Sequence, residues 1–564
     1  MESIGLQPLD IGIIIVYLVG IVWYGIKKGK QESSEDYFLA GRNMAWPIVG
    51  ISLFAANIGS NTLIGLTSDA FQTNVAVYNY EWMAAVVLVV FGIFFLPFYL
   101  KSKVYTMPEF LERRYDTRTR YLFSGITIVG NVIIDTASGL YAGNLILKII
   151  FPGTPSWIII AGLALAAAAY TIPGGLSSVV HTEVIQAVLL IFGSFLVTYY
   201  AFSEVGGWSA MIEGLNNLAP NGKDADEVLS LIRPNSDEAM PWLGLVLGVP
   251  LLGFYFWANN QFMVQRVLSA KDLNHGRWGA IFAGLLKLPV LFIMVVPGVL
   301  AILLFKDLDV SFLGYQVEAA SGGFEVCSNL KDCPNMTYPV LIYKLLPMGI
   351  LGLVIAGLLA AMSSSISATL NSASTLITMD FTQKLRPNMS SKGLVRAGQI
   401  ATCVLVILAA AWAPMIESFQ SLWTYLQQIL AFISPPIVAA FVMGLFYKRA
   451  NANGGFWSMV ISYLLVIGFI IYCFSQFGGI SNDDTGIHFL YTVPVLFAIA
   501  CILNVAISSF SPAPAAEKTD GMTWHKSIYT EETKELVGTP WYKNYRILSV
   551  LLLIVTAIIV IWFR

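Results

Sequence analysis

Apolar residues run along this chain in long uninterrupted blocks instead of alternating with polar ones. Blocks of spanning length fall near 9–26, 45–68, 76–100, 119–150, 156–172, 183–202, 241–263, 278–305, 340–379, 396–413, 419–446, 455–476, 486–509 and 547–563. A hydrocarbon core about 30 Å thick takes about 20 helical residues to cross, so each block reads as a membrane helix. The pattern predicts an all-α polytopic membrane protein with 14 transmembrane helices. The longest polar stretches, 203–239, 306–339 and 511–545, are each too short for an ordinary catalytic domain. The chemistry therefore belongs among the spans.

Two blocks carry helix breakers at their centres. The second contains Asn57-Ile58-Gly59-Ser60-Asn61-Thr62, and the seventh contains Gly244, Gly248, Pro250 and Gly253 ahead of Phe256 and Trp257. Irregular backbone at membrane depth is tolerated only where protein or a water-filled cavity satisfies the freed N–H and C=O groups. Five spans separate the two breaks, an odd number, so units beginning at each have opposite topology. This predicts a five-plus-five inverted repeat with broken helices, as in secondary transporters, with binding sites at the midplane. The repeats fall at 45–202 and 203–446, preceded by a first span and connector at 1–44 and followed by three accessory spans at 447–564.

Composition agrees with this reading. At 57% apolar and 12% charged, the 564 residues have too little polar surface to cover a soluble globule. The net charge of −2 offers nothing to a nucleic acid. Placing the first connector (Lys27, Lys28, Lys30, Arg42) in the cytoplasm puts 24 of the 32 basic residues on that side. By the positive-inside rule both termini then lie outside a plasma membrane, or a bacterial inner membrane, with the lipid bilayer as the chain's surroundings. Cys327 and Cys333 bracket an external loop and could close a disulfide, and Asn335-Met-Thr337 beside them is a glycosylation sequon. Nothing in the sequence sets the oligomeric state.

Glu81 and Lys287 are single charges inside the blocks 76–100 and 278–305. A charge at membrane depth costs about 2.5–3.5 kcal/mol even on the lenient insertion scale, so such residues usually have a use. Ten helical residues separate Arg277, at the cytoplasmic edge, from Lys287, placing the lysine about 15 Å into the core. The two can accept from and donate to a polar solute; the alternative is that each merely pairs with a buried side chain such as Asp135 or Asn131. Phe256 and Trp257 offer flat faces on which the C–H face of a sugar stacks, or else they form an ordinary packed helix face. In the ninth span, Ser364 and Ser365 opposite carbonyls released at Ala55 and Ile58 could supply neutral oxygens to sodium, though hydroxyls also serve close helix packing.

Several motifs stand in order along the chain: Phe54-Ala-Ala-Asn57-Ile-Gly-Ser60, Tyr80-Glu81-Trp82-Met83, Tyr105-Thr-Met-Pro-Glu-Phe110, Pro173-Gly-Gly-Leu176, Gln265-Arg266, Leu286-Lys287-Leu288, Asn371-Ser-Ala-Ser-Thr375 and Thr378-Met-Asp380. Together they closely resemble the sodium/glucose cotransporter branch of the solute:sodium symporter family, over about residues 10 to 510. The resemblance implies a LeuT-like fold and sodium as the coupling ion, bound by Ala55, Ile58, Ala361, Ser364 and Ser365. It places Asn57, Glu81, Lys287, Gln427 and Trp257 on sugar-binding positions. Phe256 matches the aromatic closing the inner side of the pocket, and Leu66, Tyr80 and Trp423 match the outer gate.

Departures from the branch bear on the substrate. Thr62 stands where its sugar carriers have a long Gln or His that reaches the ligand, Gly253 where a polar side chain is common, and Phe256 lacks the usual tyrosine hydroxyl. These changes weigh against glucose or galactose and leave room for myo-inositol, another monosaccharide or a related polyol. A second sodium site in some members uses an aspartate whose counterpart here is Glu183; Ser367 remains beside it, but Ala368 replaces the next hydroxyl. One sodium per substrate is the expectation. Rival readings are a sugar sensor or ion-leak protein on the same fold, and a sodium symporter for an organic acid, against which Glu81 argues by repulsion. No His/Cys metal spacing and no pairing of nucleophile and base indicates an enzyme.

Overall fold

Helix is the only open-ended structure that bonds its own backbone inside lipid, and these blocks fold accordingly. The computed structural model describes residues 6–29, 33–151, 154–218, 223–306, 308–311, 316–318, 324–418, 422–478, 480 and 485–564. Parts of the loops 203–239 and 306–339, and positions 419–421 at the start of the eleventh block, lie outside the described residues. The helices that carry the argument are α1 (Pro8–Lys28), α2 (Trp46–Asn57), α3 (Ser60–Thr73), α4 (79–102), α5 (117–150) and α6 (Ser156–Val205). They continue with α7 (Gly244–Asn259), α8 (Gln261–Leu268), α9 (Leu273–Lys287), α10 (Leu291–Phe305) and α11 (Ile350–Leu385). The remainder are α12 (Ser391–Ile416), α13 (Leu422–Phe446), α14 (Ala452–Phe477), α15 (Phe489–Ser509) and α16 (Tyr545–Trp562). A two-stranded antiparallel ribbon, Gln316–Glu318 with Phe324–Val326, is an addition to the all-helical expectation.

Among the described residues, ten helices are long and apolar enough to cross a membrane, and eleven if the bent pair α9 and α10 is one span. This count is lower than the fourteen apolar blocks because it takes the joined stretches Ser60–Ser102 and Ser156–Val205 as one helix each and leaves out the shorter apolar helices. Blocks 156–172 and 183–202 form the two arms of the 50-residue α6, two helices that meet at a kink where Gly175 leaves the helical region (φ 58°, ψ −160°). The halves of broken spans, α2 and α7, are each too short to cross alone.

The second span breaks where expected. Ile58 (φ −93°, ψ 81°) and Gly59 (φ −90°, ψ −179°) leave the helical region between α2 and α3. The seventh behaves differently: its glycine and proline cluster does not stop the helix. The chain widens into five-residue π turns at Gly244–Gly248 and Tyr255–Asn259, on either side of a short α segment that has Pro250 in its first turn. There the missing proline N–H does least harm. The break comes at Asn260 (φ −68°, ψ 129°), whose side chain accepts from Phe262 N–H at 3.3 Å and so caps α8. Phe256 and Trp257 therefore precede this break, where the sequence reading put them just past it. A further bend of 40° follows Lys287, between α9 and α10 around Pro289.

Carbonyls freed at that bend are met by hydroxyls from three other helical segments. Tyr78 donates to Leu288 O (2.9 Å), Thr67 to Met294 O (2.8 Å) and Thr198 to Phe292 O (3.2 Å). Ion pairs close the face of the protein that carries residues 33–44 and 266–271. Arg266 donates to Glu183, which also accepts from Ser52, and Arg120 reaches Asp380 at 2.6 Å. Arg114 donates to the carbonyls of Gly444 (2.6 Å), Ala450 (2.7 Å) and Tyr447 (3.0 Å). The opposite face holds the loop in which Cys327 and Cys333 are bonded to each other. Asn335 of the sequon is only 3% exposed, which leaves no room for a glycan on it.

At Gly175 the backbone takes φ +58°, and a Cβ there would lie 2.5 Å from Tyr37 O. Tyr37 in turn donates its hydroxyl to Ile172 O at 2.9 Å, fastening the first connector to the bend. Gly175→Ala is expected to destabilise the fold by more than about 1 kcal/mol, through strain at positive φ and the clash. Thermal unfolding of the detergent-solubilised protein checks this; an unchanged midpoint would mean that the bend tolerates a side chain.

Candidate functional site

The break in the second span and the bend in the eighth face one cavity of about 850 Å³, its open mouth included. Breaking a helix frees the side chains at its cut ends, and here those are Asn57 at the end of α2 and Asn61 and Thr62 at the start of α3. Thr62 donates its hydroxyl to Asn57 O at 2.8 Å, satisfying a carbonyl the break released. Lys287, the last residue of α9, enters the same cavity and donates to both Glu81 of α4 and Asn57 Oδ1. Its ammonium also lies 5.6 Å from the Trp257 ring and 6.0 Å from Phe54. Lys287 is 1% exposed and Glu81 3%, so the pair neutralises two charges that water does not reach.

That contact answers the alternative raised by the sequence in a specific way. Glu81 and Lys287 do pair, but with each other and with Asn57, and all three line the cavity. Asn131 is committed to Ser372 at 2.9 Å. Asp135 lines the cavity itself, within the π turn Asn131–Thr136 of α5.

Every residue assigned to solute binding in the sequence lines this cavity: Asn57, Thr62, Glu81, Phe256, Trp257, Lys287 and Gln427. Tyr80 and Trp423 meet edge to face above it, centroids 5.9 Å apart and planes at 73°. Phe256 meets Phe262 at 5.5 Å and 83° on the opposite side, toward Arg266. Leu66 differs: it is fully buried on α3 and is not among the lining residues, while its neighbour Gly65 packs against Trp423. Asn61, Asp135 and Thr369 also line the cavity and were not assigned. The π turn that turns Asp135 inward has no marker in the sequence, whereas Asn61 lay in a cluster already singled out.

At the same break, two of the hydroxyls expected to bind sodium meet backbone carbonyls of α2. Ser364 Oγ is 3.3 Å from Ala55 O and Ser365 Oγ is 3.2 Å from Ala56 O, bridging α11 to the end of α2. Ile58 and Ala361 are buried beside them. Oxygens from two helices at this spacing, with no charge among them, suit a monovalent cation. Glu183 and Ser367 are occupied otherwise. Glu183 holds Arg266 and Ser52, and Ser367 exchanges hydrogen bonds with Tyr170 (2.8 Å) and Thr171 (2.7 Å).

Two broken spans around one cavity that holds a buried charge pair are the layout of a secondary transporter. The model of the sodium:solute symporter family matches residues 37–462. The chain is 33% identical over 553 residues to sodium/glucose cotransporter 1 of Ovis aries, covering 93% of this chain and 82% of that one. It is 32% identical over 543 residues to sodium/myo-inositol cotransporter 2 of Homo sapiens, covering 92% and 79%. Among solved structures, a substrate-bound outward-open Na+-coupled sialic acid symporter superposes with a TM-score of 0.73 at 21% identity, covering 90% of this chain and 99% of that one. The chain belongs to the sodium:solute symporter family, whose members are transporters and not enzymes.

Two outcomes follow from the geometry. A Cβ on Gly59 would lie 2.4 Å from Ser365 Oγ, so Gly59→Ala should push that hydroxyl off the break and weaken apparent sodium affinity at least several-fold in a sodium titration. Removing one partner of a buried pair costs about 3–5 kcal/mol, mostly by stranding the other charge. Glu81→Gln and Lys287→Met should therefore each destabilise the protein more than the double substitution does, as measured by thermal melts of the four proteins; additive losses would mean that the pair is not coupled.

Proposed function

We propose that this protein imports a monosaccharide or related polyol, such as a glucose- or galactose-like sugar or myo-inositol, together with sodium by alternating access. The observation that carries the reading is the Lys287–Glu81–Asn57 cluster, which offers donors and acceptors beside the Trp257 ring in a cavity whose broken helix also contacts Ser364 and Ser365. Glu81 offsets Lys287, and Asp135 adds a further carboxylate to the wall. A neutral hydroxylated solute suits that balance better than an organic acid, which the carboxylates would repel. Relatives named for glucose and myo-inositol support the same solute class.

In this reading the chain crosses the membrane fourteen times as two inverted five-helix units, 45–202 and 203–446, with both termini and the disulfide loop outside the plasma membrane. Sodium at Ala55, Ile58, Ala361, Ser364 and Ser365 holds α2 against α11 and favours the outward-facing state; it couples only through its differential affinity for the two states. One sodium per cycle is supported by the commitment of Glu183 to Arg266. Each inward positive charge gains about 2.3 kcal/mol per 100 mV, so transport is electrogenic. Tyr80 and Trp423 form the outer gate, and Phe256 lies on the inner side.

Uptake into vesicles, with sugars, polyols and organic acids competing in turn, tests this directly. It should need an inward sodium gradient and rise with an inside-negative potential, and Ser365→Ala should weaken sodium affinity. Equal uptake driven by protons without sodium, or competition only by organic acids, would overturn the reading. The short Thr62 leaves space at one edge of the cavity. A hydrogen bond regained in such a site is worth about 1–3 kcal/mol. Thr62→Gln should thus shift preference toward glucose or galactose by about ten-fold or more, read as the ratio of uptake kcat/KM values.

A further inference from the structure

Among the described residues, the charged side chains that line the central cavity are Glu81, Asp135 and Lys287. Lys287 donates to Glu81 and to Asn57, so its charge is cancelled by that one carboxylate. Asp135 is left over. Ser138 donates to this residue at 3.1 Å, but to its backbone oxygen. Its carboxylate accepts no hydrogen bond and joins no ion pair among the described residues. The residue is half-buried, and what it faces is the cavity.

The position of this carboxylate is fixed by the turn that carries it. Within the π turn Asn131–Thr136 of α5, Thr136 donates to Asn131 O at 2.7 Å and meets the Thr369 hydroxyl of α11 at 2.7 Å. Asn131 donates to Ser372 of the same helix at 2.9 Å. The turn is thus fastened to α11 on both sides of Asp135.

A carboxylate without a countercharge, in a space that closes against water, is stabilised by a positive partner. A hydroxyl could donate to it but would leave the negative charge standing, whereas a protonated amine cancels the charge and donates as well. The oxygens assigned to sodium lie on α2, the break after it and α11, and Asp135 on α5 is not one of them. Tyr80, Phe256, Trp257 and Trp423 put aromatic rings around the same space. Such rings attract an organic ammonium through their faces and also accept the C–H faces of a sugar.

We propose that the solute of the central cavity carries a protonated amine that pairs with Asp135, so that an amino sugar or amino polyol is taken in preference to its neutral parent. The proposal rests on the sugar or polyol reading of that cavity and narrows it to solutes that bear an amine.

Uptake into vesicles at neutral pH and saturating sodium tests it. D-glucosamine, D-galactosamine and an aminodeoxy-inositol are each set against the neutral parent and against the N-acetyl derivative, which keeps the nitrogen and loses the charge. In the wild-type protein at least one amine should show a kcat/KM about ten-fold or more above both. Asp135→Asn should bring the amine level with its parent, whatever the absolute rate of uptake, and Asp135→Glu, which keeps the charge, should retain the preference. Current recorded with uptake should show more charge moved per molecule of amine than per molecule of parent, because the ammonium crosses with its charge.

No amine preferred in the wild-type protein overturns the proposal, and that comparison stands even if the variants do not fold. A preference undiminished in a folded Asp135→Asn protein, or equal charge moved per molecule of amine and parent, overturns it as well. A loss of sodium affinity in Asp135→Asn with the amine preference unchanged would assign the carboxylate to the ion and overturn it too. Failure of the underlying reading looks different: neither amine nor parent is taken up, whereas failure of the amine pairing alone leaves sodium-driven uptake of the parent intact.

Discussion

An ammonium buried at membrane depth must be held by something, and in this protein the holding of Lys287 organises everything around it. Its two partners, Glu81 on α4 and Asn57 at the cut end of α2, can be reached together only because the second span is interrupted there. The lysine itself stands at the last residue of α9, where the eighth span bends by 40°. Three elements that each break or bear a charge at the midplane are thereby tied to one point. Without the pair, each of the two charges would have to find water or be neutralised, the lysine by losing a proton and the glutamate by gaining one.

The interruptions create a second obligation, since every carbonyl they free must be satisfied by protein. Hydroxyls on other elements do most of this work at the bend, as Tyr78, Thr67 and Thr198 do for Leu288, Met294 and Phe292. At the break in the second span, Thr62 takes Asn57 O while Ser364 and Ser365 take Ala55 O and Ala56 O. Ser365 also lines the central cavity. In the proposed reading, the oxygens assigned to sodium and the groups assigned to the solute thus meet at the same interrupted span. A change in how α2 meets α11 is felt by both, which is the physical requirement for coupling them.

The two ends of the cavity are closed by different means. Toward Arg266 the closure is ionic and buried, with Glu183, which also accepts from Ser52, gripping the guanidinium near Phe256 and Phe262. Toward the disulfide loop it is a single aromatic contact, Tyr80 on Trp423, with a second cavity immediately beyond. Parting two rings requires no charge to be stranded, whereas opening the other end separates a pair that is 0% exposed on both sides. The structure is therefore closed more firmly at the ionic end.

By itself the sequence determined the solvent of the fold, the existence of a break at Gly59 and several of the residues that line the cavity. Block length and the isolation of Glu81 and Lys287 are local properties, and a charge in an apolar run is conspicuous whatever surrounds it. It also pointed to the family, because motifs such as Tyr80-Glu81-Trp82-Met83 are contiguous. Tertiary structure decided the rest. Pro250 and its glycines read as a break, yet π turns absorbed them and the chain parted at Asn260, because neighbouring segments and a capping amide, not propensity alone, select where backbone bonds are given up. Glu183 was legible as a carboxylate near Ser367 but not as the partner of Arg266, 83 positions away. The inward turn of Asp135 and the exclusion of Leu66 from the cavity wall likewise depend on how distant helices meet, and no spacing along the chain records that.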